Sequence, residues 1–186
     1  MTQALAAQPT VDLVGRACPD IVVLTFDDIL ARHQGEIYRY AFQLARNRAD
    51  ADDLYQETLI KAYRAFPRLD SNANHRAWLY KIATNTFLSD RRKRGREDVL
   101  DEVTEATMPA PALDHAAALD ARALLAEVEA FIAGLPLKQR LALIQRKYHE
   151  LSYADIATNL KCSQDAARAS VHEALRKLRD RFGDRL

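Results

Sequence analysis

Asp50-Ala51-Asp52-Asp53-Leu54-Tyr55-Gln56-Glu57-Thr58-Leu59-Ile60-Lys61-Ala62-Tyr63-Arg64-Ala65-Phe66 carries one helical period from end to end. At 3.6 residues per turn, Ala51, Leu54, Thr58, Leu59, Ala62, Ala65 and Phe66 gather on one side with Tyr55, while Asp53, Gln56, Glu57 and Arg64 lie on the other. The spacing predicts an amphipathic helix. Asp50 is expected to cap its first turn, and Asp53 adds negative charge where unpaired backbone N–H groups favour it. Ile60 breaks the pattern by standing among Asp53, Gln56, Glu57 and Arg64. That face is either a solvated surface with one stray apolar residue or a docking surface, and the pattern alone admits both.

Upstream, Thr25-Phe26-Asp27-Asp28 reads as a capping box opening a helix with Ile29, Ile37, Tyr40, Ala41 and Leu44 on a common side. This helix is expected to end near Asn47, and the short link Arg48-Ala49 then pairs it antiparallel with the next. Downstream, Pro67 to Asn74 is rich in turn formers and reads as a loop. A third helix over about His75 to Arg94 places Trp78, Leu79, Ile82, Ala83 and Thr86 on one side and Lys81, Asn85, Leu88 and Arg92 on another. Trp78 is expected in the core, because an indole supplies much of the apolar area a small three-helix domain needs.

The formal net charge of +1 conceals an uneven distribution. Residues 76–96 hold seven Lys/Arg against one Asp, whereas 97–121 hold seven acids and no Lys or Arg. Acid with Pro109 and Pro111 argues for a flexible linker over 97–119, and residues 1–24 lack helical periodicity and read as an extension. Beyond a helix from about Asp120 to Ala133, Gly134-Leu135-Pro136 punctuates the chain, and a helix with Leu141, Leu143 and Ile144 follows. Ser152 with Asp155 then caps a short helix ending near Leu160. Lys161-Cys162 makes a turn, and Ser163 starts a last helix. Short helix, tight turn and capped helix is the spacing of a helix-turn-helix. In the last helix Ala167, Val171, Ala174, Leu175 and Leu178 face inward, leaving Asp165, Arg168, Ala169, His172, Glu173 and Arg176 outward as the expected major-groove reader.

The expected architecture is all-α: an extension (1–24), a helical domain (25–96), an acidic linker (97–119) and a helix-turn-helix domain (120–186). Cys18 and Cys162 have no partner at metal-ligand spacing and read as reduced thiols, Cys162 as a small buried residue of the turn, and Ile21-Val22-Val23-Leu24 is too short to cross a membrane. A cytoplasmic protein without metal or cofactor is expected. His33, His75, His115, His149 and His172 are scattered, and no nucleophile–base grouping suggests an enzyme.

Asp53-Leu54-Tyr55-Gln56-Glu57 resembles the segment by which sigma factors of the sigma-70 superfamily grip the clamp helices of RNA polymerase. From about Phe26 to Arg181 the chain resembles the short, two-domain extracytoplasmic-function sigma factors. The resemblance implies core-polymerase binding through Asp53, Gln56, Glu57 and Ile60. Arg76-Ala77-Trp78-Leu79-Tyr80-Lys81-Ile82-Ala83-Thr84-Asn85 and Asp90-Arg91-Arg92 resemble the segment that melts and reads the minus-ten element. That likeness makes Asn72 and Asn74 candidates for capturing a flipped base, with Lys81, Asn85, Arg91, Arg92 and Arg94 toward the DNA, the cations suited to phosphates. Leu135-Pro136-Leu137-Lys138-Gln139-Arg140 and Leu151-Ser152-Tyr153 resemble the domain that reads the minus-thirty-five element, which puts Arg168, Ala169, His172, Glu173 and Arg176 toward the bases. Ser170 and Glu173 stand where Arg is frequent in that family, and Ala166 where Thr is. Fewer cations weaken sequence-independent attraction, while Glu173 can accept from a cytosine amino group.

The implied partners are core polymerase (clamp helices and flap), promoter DNA and an anti-sigma factor, with a monomer when free. The linker of similar factors threads toward the active-site cleft. Two other readings stay open: a sigma-like decoy that sequesters an anti-sigma factor, and a plain helix-turn-helix regulator.

Overall fold

The computed structural model describes residues 24–70, 72–97 and 117–185, so the extension, Cys18 and nearly all of the linker lie outside the described residues. Seven α-helices run in chain order: α1 Phe26–Ala45, α2 Arg48–Ala65, α3 His75–Glu97, α4 Ala117–Ala133, α5 Leu137–Lys147, α6 Tyr153–Leu160 and α7 Gln164–Phe182. No strand occurs among the described residues. A 3-10 turn, Phe66–Arg68, follows α2.

Local chemistry sets most boundaries. Thr25 accepts from the Asp28 amide while the Asp28 carboxylate accepts from the Thr25 amide at 3.0 Å, the expected reciprocal cap of α1. Arg46 in the left-handed region (φ 65°) ends α1 and lets the chain turn at once into α2. The cap of α2 is Asn47, whose side chain accepts from the Asp50 amide at 2.8 Å, so the helix starts at Arg48 and not at Asp50. Asp50 does not cap, because Asn47 already holds the geometry. Its carboxylate turns instead to Arg94 of α3 at 2.9 Å, and that bond above all holds Asp50 below the usual carboxylate range.

In the C-terminal half, Ser152 and Ser163 accept from the amides of Asp155 and Ala166 and cap α6 and α7. The Ser152–Asp155 return bond comes from the hydroxyl to the carboxylate at 2.6 Å. Lys161 (φ 52°) makes the sharp turn between them. Cys162 there is half-buried against the core.

Helices α1, α2 and α3 pack into one bundle and α4 to α7 into another. Ile29, Ile37, Tyr40, Ala41 and Leu44 of α1 meet Leu54 and Ala62 of α2 and Leu79 and Ala83 of α3, all buried. Each large side chain so buried stabilises by roughly 1.5–3 kcal/mol. The second bundle centres on Leu141, Ile156, Ala167 and Val171, with Ile132, Leu135, Leu143 and Ala174 beside them.

The two bundles are docked, α3 against α6, and a single apolar cluster runs through both. At the junction the buried contacts are polar. Asn159 Nδ2 donates to Gln145 Oε1 (3.0 Å), Gln145 Nε2 donates to the Tyr40 hydroxyl (2.7 Å) and to Thr84 Oγ1 (3.2 Å), and Thr84 donates to the Tyr80 carbonyl (2.7 Å). With the Thr84 proton so used, Tyr40 donates across its 2.9 Å contact with Thr84. A second group forms around His149, whose Nε2 lies 2.7 Å from Gln43 Oε1 and whose Nδ1 lies 2.7 Å from the Tyr80 hydroxyl, which itself donates to Glu36 Oε2 at 3.1 Å.

Trp78 departs from expectation. It is only half-buried, at the edge of the first bundle, where with Leu69 and Ala65 it lines a groove whose other walls are Lys61, Arg64 and Arg68. Leu79, Ala83 and Thr86 of the predicted apolar side of α3 are buried, and Tyr80 and Thr84, next to that side, are fully buried with them. Contact with the second bundle gives α3 a second buried side.

Candidate polymerase and nucleic-acid interfaces

Helix α2 shows its outer side to solvent. Asp53, Gln56, Glu57 and Arg64 are exposed, and Ile60 is 50% exposed among them. Glu57 pairs with Lys61 at 2.7 Å, an exposed bridge of small energetic weight. Tyr63, one turn on from Ile60 and 66% exposed, widens the apolar part of this face. It lies edge-on to Phe26 of α1 at 5.4 Å. Tyr63 was missed in the sequence because an aromatic beside a buried stripe is indistinguishable from core until the neighbouring helix is placed.

The loop before α3 brings its two asparagines to the surface in different states. Asn72 is exposed, its amide donating to Asp70 at 2.8 Å. Asn74 is exposed too, but its Oδ1 accepts from the Ala77 amide at 3.0 Å and so caps α3, leaving its Nδ2 as the group able to meet a base. Next to this loop lies the Trp78 groove, an aromatic side chain framed by three cations. Along α3, Lys81 is exposed and Asn85 half-buried; Arg91, Arg92 and Arg94 are exposed near its end. Arg92 donates back to the Leu88 carbonyl and Ser89 hydroxyl. Arg94 is held by Asp50 and, at 3.0 Å, by Asp90, so a phosphate contact from it must displace two carboxylates.

On α7, Arg168, Ala169, His172 and Arg176 are exposed and Glu173 half-buried, all on the side away from Ala167, Val171 and Ala174. Glu173 accepts from Arg176 through two bonds, at 2.6 and 3.2 Å, and that pairing lowers its pKa and raises that of Arg176. Asp180 stands 3.6 Å from the same guanidinium. Arg168 lies against the ring of Tyr153, 5.2 Å from its centroid, and Arg146 lies 4.8 Å from the same ring. This stack is not legible in the sequence, where the cap at Ser152 accounts for the segment. Among the described residues no group of His, Cys, Asp and Glu could hold a metal ion, and no helix is long and apolar enough to cross a membrane.

Residues 29–97 match the Sigma-70 region 2 family and residues 125–178 the Sigma-70 region 4 family. The chain is 34% identical over 152 residues to the ECF RNA polymerase sigma factor SigL of Mycobacterium tuberculosis, covering 79% of this chain and 82% of the relative. It is also 31% identical over 177 residues to the ECF RNA polymerase sigma factor SigE of Mycolicibacterium smegmatis, covering 93% and 68%. The chain belongs to the ECF RNA polymerase sigma factors.

The sigma factor therefore directs transcription initiation, with α1–α3 as its region 2 and the four C-terminal helices carrying region 4. The fold is similar to that of the sigma factor RpoE of Bartonella quintana, solved in complex with the anti-sigma factor NepR, with a TM-score of 0.69 and 27% identity. That match covers 83% of this chain and 94% of the other, more of the sigma factor than either region supplies alone.

Proposed function

We propose that this sigma factor docks on core polymerase through the outer side of α2, at Asp53, Gln56, Glu57 and Ile60, with Tyr63 extending the contact. The observation that carries the reading is Ile60, half-exposed on a helix whose other aliphatic residues are buried or half-buried. An isolated isoleucine ringed by carboxylate and amide groups gives a partner both an apolar anchor and polar register.

The loop at Asn72 and Asn74, the Trp78 groove and the cations of α3 form the minus-ten surface. An extruded base loses stacking worth a few kcal/mol, which an aromatic wall and nearby cations recover in part. Lys81, Asn85, Arg91 and Arg92 continue that surface along α3, and Arg94 joins it once released from Asp50 and Asp90. Arg168, Ala169, His172, Glu173 and Arg176 form the minus-thirty-five reader, and the two carboxylates beside Arg176 moderate its pull on phosphate. The factor acts by binding alone, and its activity is set by an anti-sigma factor, as the NepR complex of RpoE suggests.

Run-off transcription with core polymerase tests this. The wild-type chain is expected to give promoter-dependent RNA, and replacement of Gln56, Glu57 and Ile60 together by Ala to abolish it while leaving helix content unchanged. Full activity of that triple variant overturns the α2 assignment. A wild-type chain that never yields RNA points to the decoy or to a plain regulator.

A further inference from the structure

We propose that the cavity walled by α1, α4 and α5 binds a small organic monoacid, with its carboxylate against the buried guanidinium of Arg140 and an apolar body no larger than a benzene ring among the side chains around it. None of the residues lining this cavity belongs to the surfaces assigned above to polymerase and promoter DNA.

The polar end of the site is Arg140. It is 6% exposed, no carboxylate among the described residues pairs with it, and its Nε has no hydrogen-bond partner. What the protein does offer it is weak: Nη2 donates to the Leu44 carbonyl at 2.8 Å, and the guanidinium carbon stands 5.9 Å from the centre of the Phe87 ring. Burial above all, and then the positive charges of Arg91 and Arg46, push its pKa down to about 10, which leaves it a cation at neutral pH. A buried cation crowded by other cations favours an anion beside it, and a carboxylate matches the guanidinium fork in shape as well as in sign.

The rest of the lining selects the class of anion. Arg46 and Arg140 are set against the single carboxylate of Glu129, which is exposed and therefore screened by water. One excess positive charge suits a monoanion. Ile132 and Ile144 are buried in the wall, Phe42 is half-buried, and Tyr148 closes it with an aromatic ring still 51% exposed. These side chains favour an apolar body over a sugar or a polyol. The cavity has a volume of about 130 Å³, and an apolar cavity of about 150 Å³ holds one benzene. A nucleotide is far too large for it.

Both bundles supply walls, so the site exists only in the full chain. A ligand bound there and not to the unfolded chain adds stability by mass action, which makes the factor responsive to the concentration of such an acid whatever promoter it serves.

Isothermal titration calorimetry of the full chain at pH 7 tests this with benzoate, benzyl alcohol and inorganic phosphate, on wild type, Arg140→Met and Ala133→Leu. Wild type is expected to bind one benzoate with a Kd below about 1 mM, and benzyl alcohol and phosphate at least about tenfold more weakly. Arg140→Met is expected to remove the preference for benzoate over benzyl alcohol. Ala133 is a half-buried wall residue of α4, so Ala133→Leu fills the cavity without touching Arg140 and is expected to abolish benzoate binding at unchanged helix content by circular dichroism. It keeps the test sharp should Arg140→Met fail to fold. The site is overturned if benzoate shows no saturable binding to wild type, if phosphate or benzyl alcohol binds as well as benzoate, or if folded Ala133→Leu binds benzoate as wild type does.

Discussion

Two guanidinium groups share the ring of Tyr153, and only one of them, Arg168, belongs to the outward side of α7. Arg146 is further tied to the Leu151 carbonyl at 3.0 Å, so the ring is fixed from below and offers Arg168 a fixed platform. An exposed cation–π contact of this kind is worth about 0.5–1 kcal/mol, enough to change how often the guanidinium points outward. Tyr153→Leu is expected to weaken binding to a minus-thirty-five duplex about two- to fivefold, and Tyr153→Phe to keep it. Fluorescence anisotropy against that duplex decides the matter, and equal affinities for Leu and Phe would remove the platform role. Residue identity alone showed the outward cation. It did not show what steadies it, because the ring lies fifteen positions earlier on another helix.

At the scale of the element, caps and periodicity account for the helices. Ser163 accepts from the Ala166 amide at 3.1 Å at the start of α7, where three other amides also lack helical partners. Ser163→Ala is expected to lower stability by about 1 kcal/mol and the melting temperature by roughly 2–4 °C, with Ser163→Gly costing less. Calorimetry that finds Ala and wild type equal would show that α7 is held by packing alone. The helix-turn-helix, the capping pair at Thr25 and Asp28, and the exposed side of α2 were legible because each depends on residues within one or two turns. The start of α2 was not: Asn47 and Asp50 are both good caps, and only the position of Arg94 on α3 draws the Asp50 carboxylate away.

For the molecule as a whole, the docking of the two bundles can be probed with acid. Burial above all, and then the positive charge of Arg76, push His149 down to about 4, with Glu36 acting the other way and Arg39 adding to Arg76. A histidine whose pKa is depressed by docking favours the docked arrangement fully above its ordinary value near 6.5. That contribution is lost as pH falls from there toward 4, at up to about 1.4 kcal/mol per pH unit. Glu36 is shifted downward: its own desolvation works against ionisation, but the bonds from His33, Arg76 and Tyr80 outweigh it and keep its carboxylate charged. Between pH 6.5 and 5 the expected change is therefore due to His149: the radius of gyration rises with acid in wild type and does so less in His149→Gln. A radius independent of pH over that window would mean that His149 stays neutral without influencing docking.

Sequence by itself determined the all-α composition, the two bundles, the helix-turn-helix and the exposed sides of α2 and α7, since an amphipathic helix declares one buried face through its own period. Tertiary structure alone decided that α3 and α5 each have a second buried side, that Tyr80, Thr84, Gln145 and His149 sit inside, and that Trp78 sits at a groove. Polar side chains at a second face read as solvent-facing in any one-dimensional pattern. They become core only when donors and acceptors more than 60 residues apart in the chain meet and satisfy one another.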